Sequence, residues 1–164
     1  MARLTLPEIP EVAAAILKKH QQSEPVKVGA IATDFGITVL VSDLPLHISG
    51  VLFKDKESKR WTIRVNRHEH KHRQRYTIAH EIAHFVLHRD AITDKVEDDT
   101  FYRSGLSEQR EFEANALAAE ILMPWHLIRS LMQKNGITID NVKQLADLLE
   151  VSEAAIKIRL GIPT

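Results

Sequence analysis

The sequence predicts an α+β protein: a small, mostly antiparallel three-stranded sheet packed on one buried helix, followed by a C-terminal helical part. Three observations carry this. Short β-branched runs bounded by turn-formers occupy residues 37–66, between segments of helical apolar spacing on either side. The segment "TIAHEIAHFVLH", residues 77–88, is apolar on all but one helical stripe, which marks it as core. Residues 138–161 read as two short helices with helix-turn-helix proportions. We divide the chain into a main domain over 1–136 and a helical extension, 137–164, packed on it.

The elements follow in order. Ile9, Val12, Ala13, Ile16 and Leu17 share one face, so residues 8–22 form an amphipathic helix. "VKVGAIATDFG" is a second, shorter helix stopped by Gly36. "ITVLVSDLP", "SGVLFKD" and "RWTIRVN" are the three strands, with "KDKESK" turning a hairpin between the last two. "RHEHKHRQRY" is polar and basic and precedes the buried helix. "HRDAITDKVEDDTFYRSGLS" is a long acidic connection. A helix then runs over residues 108–123, with Ser107 as its cap and Pro124 as its stop. "WHLIRSLMQKNG" is a further helix ended by Asn135-Gly136. Asp140 and Ser152 are expected to cap the last two helices, and Gly161 to end the second.

Composition narrows the function classes. The 164 residues carry 22 basic and 22 acidic side chains, so global charge selects neither nucleic acid nor membrane. With no cysteine, the chain has no disulfide, no thiolate metal site and no thiol nucleophile. The N-terminus shows no uninterrupted apolar run behind a basic head, and no segment is apolar enough to span a bilayer. A cytoplasmic location is the expectation. Charge is uneven locally, with nine Lys/Arg against three Asp/Glu over residues 54–75 and eight acids against three bases over 90–113. These are either two solvated faces or the flanks of a groove that orients a charged partner.

Placed on a helix, Thr77, His80, Glu81, His84 and His88 form the single polar stripe. A buried polar stripe must be satisfied by something. His80 and His84 are one turn apart, so both imidazoles can face one metal ion, with Glu81 beside it to take a proton from bound water. His88 lies two turns past His80, about 12 Å along the axis, too far to share the ion. It reads as a cap or as an outer partner of the ligands. A third ligand must come from elsewhere, and "EFEANALAAEILMP" offers acids on an alanine-rich face. Glu113 is the expected ligand. Glu120 is the alternative, or a partner for a ligand histidine. Glu111, near the helix start, reads as a charge favoured by the helix dipole. The alternating His68, His70 and His72 read as an exposed basic strand end or loop.

"RQRYTIAHEIAH", then "EFEANALAAEILMP", then "LADLLEVSEAAIKIRL" together resemble the ImmA/IrrE family of zinc metallo-endopeptidases, over roughly residues 30–161. The resemblance implies a zincin-like fold, with Zn2+ held by His80, His84 and Glu113 and Glu81 as catalytic base. It implies a cytoplasmic protease whose substrate is a transcriptional repressor, often one encoded nearby. Position 83 is Ala where the family often has Gly, which a helix tolerates better.

Such a reaction needs a donor for the developing oxyanion. Tyr102, Arg75 and His126 are the candidates. The strand "RWTIRVN" could pair edge-on with an extended substrate. Two other readings compete. In one, the C-terminal helix pair binds DNA, but residues 140–161 hold three bases and four acids, against what phosphate contact requires. In the other, the chain is a non-catalytic zinc-containing module that binds a partner, as in a toxin–antitoxin pair.

Overall fold

The structure is a computed structural model that describes residues 8–92, 95–99 and 106–163. Helix α1 (Glu11–Lys19) buries Ala13 and Leu17, one turn apart, and carries its acid at the first turn and its lysines at the last, as the helix dipole favours. Helix α2 (Val28–Asp34) ends where Gly36 takes φ +75°, a conformation that costs glycine little.

Three strands follow: β1 (Thr38–Ser42), β2 (Ile48–Lys54) and β3 (Trp61–Asn66). β2 and β3 form the expected hairpin. Its turn is tied by Asp55, which receives the backbone N–H of Ser58 on its carboxylate. β1 pairs with β3 in parallel, and a fourth strand, β4 (Lys95–Asp99), pairs antiparallel with β2. The sheet order is therefore β1-β3-β2-β4. Two expectations are corrected. The acidic connection is not a loop throughout, because part of it supplies this edge strand. "RWTIRVN" has a neighbour on each side, so its backbone has no open edge for a substrate.

Helix α3 (Lys71–His88) starts six residues earlier than its apolar run. His70 caps it by accepting the backbone N–H of His72. The helix lies across β2 and β3 and comes close at Gly50, where a Cβ would stand 2.5 Å from Thr77 Cγ2. Helix α4 (Glu108–Leu122), capped by Ser107, packs along α3 and buries Ala114, Leu117, Ala118 and Ile121.

Helix α5 (Trp125–Asn135) ends at Gly136 in the left-handed conformation. A 3-10 turn (Ile139–Asn141) leads into α6 (Val142–Leu149), and α7 (Glu153–Leu160) closes the chain. Ser152 caps α7 as expected. Asp140 does not cap α6: Thr138 caps the 3-10 turn, in a reciprocal pair with Asn141. One apolar cluster runs from Leu17 and Ile31 through Leu52, Ile63 and Ile82 to Leu117, Ile128, Leu145 and Ile156. Sheet, α3 and the C-terminal helices thus share a core. Among the described residues no helix is long and apolar enough to cross a membrane.

Candidate metal centre

Helical spacing aims His80 and His84 the same way from α3, and their rings meet edge to face with centroids 4.6 Å apart. The neighbouring helix α4 brings Glu111 to them. Its Oε1 is 2.9 Å from His84 Nε2 and its Oε2 is 3.5 Å from His80 Nε2. One ligand atom from each of the three lies within 4.8 Å of the others. Bonds of about 2.1 Å to a tetrahedral ion place ligand atoms about 3.4 Å apart, so the spacing suits a single divalent cation. His84 is fully buried, and burial pushes its imidazole below the usual histidine range, against a raising contribution from Glu111. The neutral ring keeps the lone pair that a metal needs.

The neighbouring Glu81 tests the fit. It is completely buried, and neither carboxylate oxygen has a hydrogen-bond partner among the described residues. An unpaired carboxylate in the interior costs several kcal/mol unless a positive charge or a proton donor compensates it. A cation at the adjacent cluster supplies that compensation.

Outside the cluster runs a second chain of contacts. His88 Nδ1 is 3.0 Å from His84 Nδ1, and His88 Nε2 is 3.0 Å from Glu113 Oε1. On the other flank, Tyr76 stacks on His80, with centroids 6.2 Å apart and planes at 27°, and its hydroxyl donates to Asn115 Oδ1 at 2.8 Å.

The comparisons with known proteins bear on this geometry. The IrrE N-terminal-like domain model, of peptidase family M78, matches residues 32–161. The chain belongs to that family. Its relatives include the "Uncharacterized immunity region protein 2" of Bacillus phage phi105, 27% identical over 84% of this chain and 86% of the phage protein. They also include the "Radiation response metalloprotease IrrE" of Deinococcus radiodurans, 35% identical over 57% of this chain but only 28% of that longer protein. A solved Mycobacterium tuberculosis transcriptional regulator shares the fold, with a TM-score of 0.56 and 21% identity over 94% of this chain and 48% of its own. M78 membership makes this a metalloprotease-family chain with a candidate divalent-metal triad.

Within that family frame, one assignment from the sequence changes. The structure places Glu111, not Glu113, beside the two imidazoles, while Glu113 faces His88. The alanine-rich stripe through Glu113 and Glu120 does not reach the two imidazoles; it meets α3 where Glu113 contacts His88. The buried face of α4 is Glu111, Ala114, Ala118 and Ile121, at i, i+3, i+7 and i+10, and that spacing was the available signal. Glu120 is exposed and lies outside the cluster. His88 stands outside the triad, as the rise of the helix requires.

The oxyanion candidates separate as well. Arg75 is committed to the end of α6, donating to the carbonyls of Leu149 and Glu150. His126 contacts the carbonyl of Gln21 at 2.9 Å, in the α1–α5 region. Tyr102 lies outside the described residues. Tyr76 and Asn115 were not anticipated, although Tyr76 precedes His80 by one helical turn.

Proposed function

We propose that this protein is an intracellular zinc-dependent endopeptidase that cuts a peptide bond in a partner protein, a helix-turn-helix transcriptional repressor. The observation that carries the reading is the buried His80–His84–Glu111 triad with the unpartnered Glu81 carboxylate next to it. A divalent ion bound there supplies a Lewis acid and an acidified water. With an ion held by His80, His84 and Glu111, Glu81 would be the residue to accept a proton and pass it to the leaving amine, a role that its burial and lack of other partners favour. Glu111 offsets the ion's charge, and His88 with Glu113 holds the His84 ring in place. Tyr76, stacked on His80, is the side chain best placed to meet a substrate entering from the α4–α7 side.

The printed names of the relatives support a regulatory target: one is a phage immunity-region protein, the other a radiation-response metalloprotease. Direct DNA binding is disfavoured by the cations of α7. Lys157 pairs with Glu153 at 3.3 Å, and Arg159 donates to the Met123 carbonyl while covering Trp125.

The test is co-expression with the helix-turn-helix protein encoded beside the gene, using wild type and Glu81→Gln. Cleavage by wild type alone is expected, with about one zinc per chain in both proteins. An intact partner with both proteins, in a stable complex, would instead identify a non-catalytic binding module.

A further inference from the structure

A groove of about 700 Å3 opens between the start of α3, the exposed side of α4, and α7. Its volume is in the range of sites that hold a ligand. Ala116, Ala119 and Ala155 line it with small side chains, leaving room above the backbone. Phe112 and Ile158 also line it, 47% and 72% exposed, a large apolar area for a surface. Tyr76 lines it too and touches His80 on its other side, so the groove abuts the metal centre.

Its charge is one-sided. Arg73 and Arg159 stand among the lining residues, with no aspartate or glutamate. Arg73 is half exposed, with a loose 3.6 Å contact to Glu69, a 3.5 Å hydrogen bond to Ser49 Oγ and its guanidinium 5.7 Å from the Tyr76 ring, so its charge is only partly offset. His72 also lines the groove, but burial first, and then the neighbouring His70, lower its imidazole below the usual range. Arg159 gives its Nε–H to the Met123 carbonyl and lies over Trp125, so the groove's positive charge is carried by Arg73 and the terminal nitrogens of Arg159, two points rather than the row of cations that a phosphate backbone needs. The lining comes from α3, α4, α7 and the residues next to their ends, and includes no strand edge for backbone pairing. Recognition must come from side chains entering the apolar trough.

We propose that the groove holds an amphipathic helix of the protein substrate, its apolar face against Phe112, Ala155 and Ile158 and its flanking acids against Arg73 and Arg159. This rests on the endopeptidase reading for what happens to the occupant, but not for whether it binds. The substrate is then chosen by a helix beside the cut bond, and the groove names its chemistry: apolar residues at i, i+3, i+4 and i+7 with Asp or Glu on the flank.

The experiment uses the full chain as Glu81→Gln and three fluorescein-labelled 16-residue peptides, followed by anisotropy. One has Leu and Phe at helical spacing with Glu flanks. Its twins carry Lys flanks, or Ser in place of the apolar residues. The acidic amphipathic peptide is expected to bind at least tenfold more tightly than either twin. Ile158→Asp, an exposed change that should leave the circular dichroism intact, is expected to weaken it about tenfold. Arg73→Glu is expected to shift preference towards the Lys-flanked twin. Equal binding of the Glu and Lys peptides, or unchanged affinity in Ile158→Asp, overturns the proposal. So does self-association of the chain that Ile158→Asp abolishes while no peptide binds, which makes the groove a contact between copies. Peptide binding without partner cleavage by wild type would sink the endopeptidase reading and leave this one standing. Cleavage without peptide binding would do the reverse.

Discussion

Glu111 and Glu113 are two residues apart on one helix and hold different positions in the candidate centre. Glu111 meets the rings of His80 and His84, whereas Glu113 meets His88, whose other nitrogen meets His84. With His84 Nε2 turned to the ion, its Nδ1–H donates to His88 Nδ1, and His88 Nε2–H donates to Glu113. The hydrogen-bond chain itself fixes both tautomers. Replacing Glu113 by Ala should weaken metal binding by about 10–100-fold. Glu111→Ala should leave too few ligands for measurable retention. Titration of metal-free protein against a competing chelator compares the two, and equal losses would refute the assignment. A second prediction concerns Glu81, whose buried carboxylate has no partner when the ion is removed. Glu81→Gln should therefore stabilise the metal-free chain by about 1–3 kcal/mol, and the gap should narrow once metal is restored. Thermal melts with and without chelator decide it. At this scale the His80–Glu81–His84 cluster was readable because one helix fixes its spacing. The choice between Glu111 and Glu113 depends on how α4 is rotated against α3. Two positions turn the side chain by about 200°, so an error in choosing the buried stripe exchanges one acid for the other.

Between elements, the position of α3 over the sheet depends on Gly50. A Cβ there would come within 2.5 Å of Thr77 Cγ2 and 3.1 Å of the Arg64 carbonyl oxygen. Thr77 is buried on the helix that carries both histidines, so the helix cannot yield without moving the centre. Gly50→Ala should cost about 1–3 kcal/mol by overpacking and should lower metal affinity in the same protein. Denaturant unfolding and the chelator titration measure the two effects. If stability falls while metal affinity holds, α3 is not positioned through this contact. Two features of the elements were hidden in the sequence for physical reasons. The start of α3, "KHRQRY", shows no apolar period because its order comes from tertiary bonds. Gln74 donates to the Asn66 carbonyl, and Arg75 reaches the end of α6. Strand β4, "KVEDD", is held by backbone pairing to β2, which leaves no alternation of side chains to read.

Across the whole molecule, the same apolar cluster contains Ile63 of the sheet, Ile82 beside the candidate ligands and Ile156 of the last helix. Arg75 binds α3 to the carboxyl end of α6, where Glu150 adopts φ 52° and exposes carbonyls that need donors. The sequence reading divides the chain at 136 into a main domain and a helical extension packed on it, and the shared cluster is how such an extension packs. Two tryptophans report on the two regions. Trp61 in β3 packs edge-on to Phe85, 5.7 Å between centroids, and Trp125 at the start of α5 lies under Arg159, 4.7 Å away. In Trp125→Phe and Trp61→Phe, fluorescence of the remaining tryptophan should melt at the same temperature as the helical circular dichroism of that variant. Binding that is confined to the native state stabilises it by RT ln(1 + [M]/Kd), which acts on global unfolding. Chelation should therefore lower the Trp61 and Trp125 transitions by equal amounts. A Trp125 transition that precedes the other and ignores chelator would mean that the helical part unfolds by itself, without the cooperativity that the shared core and the Arg75 clamp require.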